Sequence, residues 1–99
     1  MTNPKIPIPQ DKIARFCKKN HIVTMSLFGS VLTDEFNPNS DVDFLVEFHS
    51  EHIPTLFDIV NMEEELNHIV GRHVDLKTAK GISRYFRDDV LAKARMIYG

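Results

Sequence analysis

The chain has 99 residues, 42% of them hydrophobic and 26% charged, with a formal net charge of −2 and a sequence pI of about 6.2. This composition predicts one globular domain over residues 1–99 and argues against a broad nucleic-acid-binding surface, which is usually basic. The single cysteine, Cys17, excludes an internal disulfide and a multi-cysteine metal site, and we expect it to be a core thiol.

The N-terminal segment, punctuated by Pro4, Pro7 and Pro9, has no apolar stretch of the kind found in signal peptides. No apolar run in the sequence approaches the roughly 20 residues that span a bilayer. The sequence therefore predicts a cytoplasmic protein that does not interact with a membrane.

Hydrophobic periodicity predicts alternating helices and strands. In chain order, the spacing predicts a helix over residues 8–19, a strand over 22–28, a short helical turn over 31–36 and a second strand over 41–48. Thr55 and Asp58 predict a capping box for a further helix, which Gly71 ends. The predicted apolar stripe of that helix, broken by one acid, is Leu56, Ile59, Val60, Glu63, Leu66, Ile69 and Val70.

The C-terminal part is predicted as a third strand over residues 72–78 and a last helix over 83–98. The residues expected to face inward from this last helix are Phe86, Val90, Leu91, Ala94 and Ile97. Helices alternating with strands indicate an α/β (α+β) fold, with a small mixed three-stranded sheet flanked by about four helices.

Three acids lie where strands are expected to be buried. Asp41 and Asp43 are two residues apart on one strand, so their Cα atoms are about 6.6–7 Å apart and their side chains project to the same side. Asp75 lies between the apolar residues Val74 and Leu76 of the third strand. If this strand lies beside the second, the three carboxylates meet at one end of the sheet, where they could bind Mg²⁺ together with phosphate oxygens.

Gly29-Ser30 follows the first strand, at the start of the short helical turn. Glycine allows close approach of a ligand to the backbone, and the serine hydroxyl and nearby N–H groups can donate hydrogen bonds to phosphate. Taken singly, these features have simpler explanations: Gly-Ser as an ordinary turn, and Asp75 as an ion-pair partner of Arg72 or Lys77. The five histidines include no His-x-x-x-His pair, so a zinc site is not expected. His73 shares a face with Asp75 and could lie near the site, but we expect it to be exposed.

Taken together, Gly29-Ser30, Asp41, Asp43 and Asp75 resemble the signature of the DNA polymerase β-type nucleotidyltransferase superfamily. The short chain is similar to its minimal nucleotidyltransferase (MNT) branch, and the resemblance covers roughly residues 22–98. It implies the polymerase β-type fold, two Mg²⁺ ions held by the three acids, and acceptor activation by Asp75. It also implies that Gly29 and Ser30 bind the β- and γ-phosphates of a nucleoside triphosphate.

MNT proteins resemble the antitoxin halves of HEPN/MNT toxin–antitoxin pairs. The resemblance implies an enzyme that transfers AMP from ATP to a tyrosine of a HEPN-family toxin. One departure favours an alternative, because the family often has Gly-Ser-x-x-Arg or Gly-Ser-Arg-x-Arg. This chain instead has Val31, Leu32 and Thr33 after Gly-Ser, and Asp34-Glu35 follow. Loss of that charge could leave a weak or inactive antitoxin that neutralises its toxin by binding alone, unless Lys77 compensates. A transferase acting on antibiotics or tRNA is disfavoured, since the chain has no extra domain for such substrates and lacks a basic charge.

Overall fold

The computed structural model describes Ile6 and residues 8–99. Three helices and four strands of the described part follow one another along the chain, and the strand order in the sheet is β3-β2-β1-β4. The elements are α1 (Gln10–Lys19), β1 (Ile22–Phe28), β2 (Val42–Phe48), α2 (Leu56–Val70), β3 (Val74–Lys77), α3 (Arg84–Lys93) and β4 (Arg95–Tyr98). The α+β class is confirmed, with one strand more than predicted.

The sheet is mixed, as expected. Strand β1 pairs antiparallel with both β2 and β4, and β2 pairs parallel with β3. Short 3-10 helices follow β1, over Gly29–Leu32, and β3, over Ala79–Gly81. The N-terminal prolines Pro4 and Pro7 lie outside the described residues, whereas Pro9 occupies the N-cap position of α1. In the part of the chain that the structure describes, no helix combines the length and hydropathy needed to cross a bilayer.

One face of the sheet forms the main core, beneath α1 and α2. Val42, Phe44 and Val46 point to this side from the central strand β2 and are almost completely buried. Cys17 of α1 joins them, and burial raises the pKa of its thiol to about 12, so it is a buried core thiol as predicted. The opposite face carries a smaller apolar cluster of Phe28, Leu45 and Ile82, against which Val90 and Ala94 pack.

Helix α2 begins and ends as the sequence predicts. The Thr55 hydroxyl accepts from the Asp58 backbone N–H, the Asp58 carboxylate accepts from the Thr55 N–H, and Gly71 adopts a left-handed conformation with φ of 72°. The predicted apolar stripe is partly wrong, because Leu56 and Val60 are exposed. The residues of α2 that the structure buries are Met62, Leu66 and Val70.

Glu63, the one acid in the predicted apolar stripe, contacts the edge of the sheet. Its Oε2 accepts a hydrogen bond of 2.8 Å from the Leu76 N–H of the edge strand β3, and Asn67 Oδ1 similarly accepts from Val74 N–H at 2.8 Å. Backbone groups at a sheet edge need partners when they are covered. Helix α2 therefore provides polar side chains, as well as apolar ones, to hold β3 in the sheet.

The prediction of one helix over residues 83–98 is wrong. Helix α3 ends at Lys93, Ala94 takes an extended conformation with φ of −61° and ψ of 143°, and the chain continues as β4 beside β1. Phe86 and Leu91, expected to face inward, are exposed, whereas Val90, Ala94 and Ile97 are partly buried. Pairing with β1 supplies backbone hydrogen bonds that the helical pattern of the sequence could not reveal.

Candidate functional site

The three predicted acids lie at one end of the sheet, where β1 ends and β2 and β3 begin. Asp43 lies directly opposite Asp75 in the parallel β2–β3 pairing and opposite Phe28 in the antiparallel pairing with β1. Asp41 precedes β2 by one residue, and the Val42 N–H next to it donates to the His73 carbonyl oxygen at 2.9 Å. The strand pairing thus brings Asp75 next to Asp41 and Asp43, which are distant from it in the sequence.

Asp43 lies directly against the Gly29 turn. A Cβ atom built on Gly29 would be 2.5 Å from Asp43 Oδ2, well inside van der Waals contact, and the φ of Gly29 is 80°. Both observations require glycine at this position, one for the space and one for the left-handed backbone. The predicted proximity of the Gly-Ser turn to the Asp-x-Asp pair is therefore present in the structure.

Burial and the neighbouring carboxylates raise the pKa of the Asp43 carboxyl above its ordinary value. Burial is the largest cause, followed by the like charges of Asp75 and, more weakly, Asp41, while Lys77 acts in the opposite direction. Desolvation and neighbouring carboxylates both disfavour the ionised form. A divalent cation between these groups would offset both effects, so the donor set fits a metal such as Mg²⁺.

His73 is part of the same cluster. One potential ligand atom each from Asp41, His73 and Asp75 lie within 4.8 Å of one another, and His73 Nδ1 is 3.1 Å from Asp41 Oδ1. The His73 side chain is exposed, as expected, but the structure also places it at the site. The available signal was its position two residues before Asp75, which puts both side chains on one face of β3.

Arg72 and the loop before Asp41 form a supporting contact that sequence reasoning missed. The Arg72 guanidinium donates to the carbonyl oxygens of Asn37 and Ser40 at 2.7 and 2.8 Å and lies 4.4 Å above the Phe36 ring. Arg72 is therefore directed at the loop and not at Asp75, contrary to one of the readings that the sequence left open. The contact orders the segment that leads into Asp41.

The three residues that follow Ser30, among which the resemblance to the family leads us to expect arginine, include no cation. Val31 is buried in the core, Leu32 is partly buried, and the Thr33 hydroxyl donates to the Ser30 carbonyl oxygen at 2.9 Å. Lys77, on the same face of β3 as Asp75, is close enough to affect Asp43 electrostatically. Of Arg72 and Lys77, Lys77 is therefore the residue whose positive charge acts on Asp43.

Comparisons with known proteins agree with this fold. The sequence model of the family described as nucleotidyltransferase domain matches residues 10–97. A relative from Methanocaldococcus jannaschii, assigned as a protein adenylyltransferase, is 34% identical over 83 residues, which cover 84% of this chain and 87% of the relative.

Two solved structures share the fold at lower identity. A chain of a toxin–antitoxin crystal structure with AMP-PNP superposes with a TM-score of 0.74 at 20% identity, covering 93% of this chain and 74% of that one. A chain of the complex between a tri-AMPylated Shewanella oneidensis HEPN toxin and its MNT antitoxin gives a TM-score of 0.65 at 20% identity, with 91% and 69% covered. The two solved structures share the fold, and the family match and the relative show the family: the chain belongs to the nucleotidyltransferase-domain family and is a nucleotidyltransferase.

Proposed function

We propose that the protein transfers AMP from ATP to a hydroxyl group of a protein, in a reaction that depends on Mg²⁺. The observation that carries this proposal is the convergence of Asp41, Asp43 and Asp75 beside the Gly29-Ser30 turn. Burial and the like charges of Asp75 and Asp41 disfavour the ionised form of Asp43, and a fold that served only as a scaffold would gain nothing from this cluster. The name of the Methanocaldococcus relative supports the choice of AMP and of a protein acceptor.

In this proposal each site residue has a defined task. Asp41 and Asp43 would bind two Mg²⁺ ions, which supply charge neutralisation for the triphosphate, while Asp75 would share in metal binding and accept the proton of the acceptor hydroxyl. The Gly29 and Ser30 backbone and the Ser30 hydroxyl would hold the β- and γ-phosphates. The acceptor oxygen would form a bond to the α-phosphorus as the bond to the β-phosphate oxygen breaks, releasing pyrophosphate.

The proposed acceptor is a tyrosine of a HEPN-family toxin, with this chain acting as its antitoxin in the cytoplasm, where ATP is available. The fold shared with chains of toxin–antitoxin structures, one of which contains an AMPylated HEPN toxin, supports this partner. We propose no direct contact with nucleic acid, in keeping with the net charge of −2.

A transfer assay tests the proposal. The purified chain, a HEPN toxin expressed from the same source and α-labelled ATP with Mg²⁺ are expected to give labelled toxin, and removal of the metal with EDTA should abolish the label. Asp43→Asn should lower the rate at least about a hundredfold, because it removes a carboxylate from the metal site. Asp11→Asn, on the exposed first turn of α1, is the matched control and should label the toxin like the wild type.

A second candidate is an antitoxin that neutralises its toxin by binding alone. The apolar or hydrogen-bonded side chains at 31–33, which leave the triphosphate without an arginine there, favour it. Co-expression of the toxin with either wild type or Asp43→Asn separates the two candidates. Equal rescue of growth by both proteins would contradict AMP transfer as the mechanism of neutralisation and favour binding.

A further inference from the structure

We propose that His73 supplies a nitrogen ligand to a divalent ion held with Asp41 and Asp75, and that this site therefore binds Mn²⁺ more tightly than Mg²⁺. The inference deepens the proposed function and rests on it, since it concerns a metal at the same end of the sheet. It adds a ligand and a metal preference that the three-acid signature does not contain.

The distances within the cluster are close to those between ligands around one ion. Adjacent ligands of an octahedral ion with bonds of about 2.1 Å are about 3 Å apart, and opposite ligands are about 4.2 Å apart. His73 Nδ1 and Asp41 Oδ1 are separated by 3.1 Å, and the three ligand atoms, one each from Asp41, His73 and Asp75, all lie within 4.8 Å of one another. Small side-chain rotations would bring the three atoms around a common centre.

The backbone fixes this arrangement. His73 and Asp75 are on the same side of the β3 segment, and the His73 carbonyl oxygen accepts from the Val42 N–H at 2.9 Å, which holds residue 73 beside residue 41. Arg72 holds the loop that ends at Asp41 through the Asn37 and Ser40 carbonyl oxygens. The pairing of two strands, and not a flexible loop alone, thus presents the imidazole to the two carboxylates.

The chemistry of the donors determines the preference. Carboxylate oxygens are suitable ligands for both Mg²⁺ and Mn²⁺, whereas imidazole nitrogen is a softer donor that suits transition metals. Replacing one oxygen or water ligand by His73 therefore favours Mn²⁺. The exposed His73 and Asp41 side chains, about 65% and 50% accessible, leave room for water and phosphate oxygens to complete the coordination.

Metal binding by the full chain, freed of metal beforehand, tests this inference without an activity assay. Calorimetry with MnCl₂ and with MgCl₂ gives the two affinities, and electron spin-echo envelope modulation of bound Mn²⁺ detects a directly coordinated nitrogen. We expect wild type to bind Mn²⁺ at least about tenfold more tightly than Mg²⁺ and to give nitrogen modulation. His73→Asn should weaken Mn²⁺ binding about tenfold, change Mg²⁺ binding less than about twofold and remove the modulation.

His68→Asn is the matched control, because this exposed histidine lies in the last turn of α2 and should leave both affinities and the modulation unchanged. Circular dichroism melting of both variants verifies folding. Absence of nitrogen modulation in wild type, or equal weakening of both metals by His73→Asn, would overturn the inference and leave His73 as a residue that only orients Asp41. AMP transfer by wild type, measured separately, distinguishes this failure from a failure of the proposed function.

Discussion

The two faces of the sheet carry different kinds of side chain, although the same strands form both. On β2, Val42, Phe44 and Val46 face the core beneath α1 and α2 and are buried, whereas Asp43 faces the opposite side, where it is half-buried among like charges. Alternation along a strand separates these two sets completely. The core face thus stabilises the fold. Because of this stability, the opposite face can hold carboxylates that destabilise the fold when no metal is bound.

Removing a core side chain should produce the largest effect on stability. Phe44 is fully buried at the centre of the sheet, so Phe44→Ala is expected to lower the free energy of unfolding by about 3–5 kcal/mol. Leu56→Ala, at a position that is 77% exposed, should change it by less than about 0.5 kcal/mol. Urea denaturation followed by circular dichroism measures both, and a loss below about 1 kcal/mol for Phe44→Ala would contradict the assignment of this face as the core.

The contact between α2 and the edge strand should have an intermediate effect. Glu63→Ala leaves the Leu76 N–H without its carboxylate partner, which is expected to cost about 1–3 kcal/mol. Glu64→Ala, at the exposed neighbouring position, should be nearly neutral and is the control. Amide hydrogen exchange should be faster at Leu76 in Glu63→Ala alone, and equal exchange in the two variants would refute the contact.

Two of the three glycines with positive φ, Gly29 and Gly71, allow the effect on the fold to be separated from the effect on the site. Gly29→Ala and Gly71→Ala each place a side chain at positive φ, so each should lower stability by about 1–2 kcal/mol. Only at Gly29 does the new methyl group meet a carboxylate, that of Asp43, since nothing lies within 4 Å of a Cβ at Gly71. We therefore expect Gly29→Ala to lose Mg²⁺-induced thermal stabilisation while Gly71→Ala retains it, and equal losses would argue against a site at this turn.

Replacing Asp43 by asparagine should produce the smallest effect, which is a slight gain in stability. The pKa of Asp43 is raised in the folded protein, so its contribution to stability is present below the unfolded pKa and is lost as the pH rises through the folded pKa. Asp43→Asn should therefore be more stable than metal-free wild type at pH 7, by less than about 1 kcal/mol after solvent screening.

The same comparison at pH 3 should give no difference, because Asp43 is then protonated in both the folded and the unfolded protein. Thermal melting of both proteins at the two pH values in EDTA measures the effect. A destabilised Asp43→Asn at pH 7 would mean that the carboxylate contributes favourably to the fold.

Several local features could be predicted from the sequence because their causes are local. The capping box of Thr55 and Asp58 and the terminal Gly71 define α2 through contacts within a few residues. The alternation along β2 separated Val42, Phe44 and Val46 on one face from Asp41, Asp43 and Leu45 on the other. The spacing of Asp41 and Asp43 placed both on one side of the strand, and the resemblance to a family supplied the expectation that Asp75 would join them.

The tertiary structure decided what depends on distant segments. That Asp75 lies opposite Asp43, that His73 contacts Asp41, and that Glu63 bonds to β3 all follow from strand pairing and helix packing. Residues 95–98 form a strand and do not continue the helix, because they pair with the edge of β1. The helical periodicity of the sequence contains no information about this pairing. The sequence alone determined the two ends of α2 and the alternation of side chains along β2. Long-range pairing assembled the site, because its members are brought together only when separate strands share backbone hydrogen bonds.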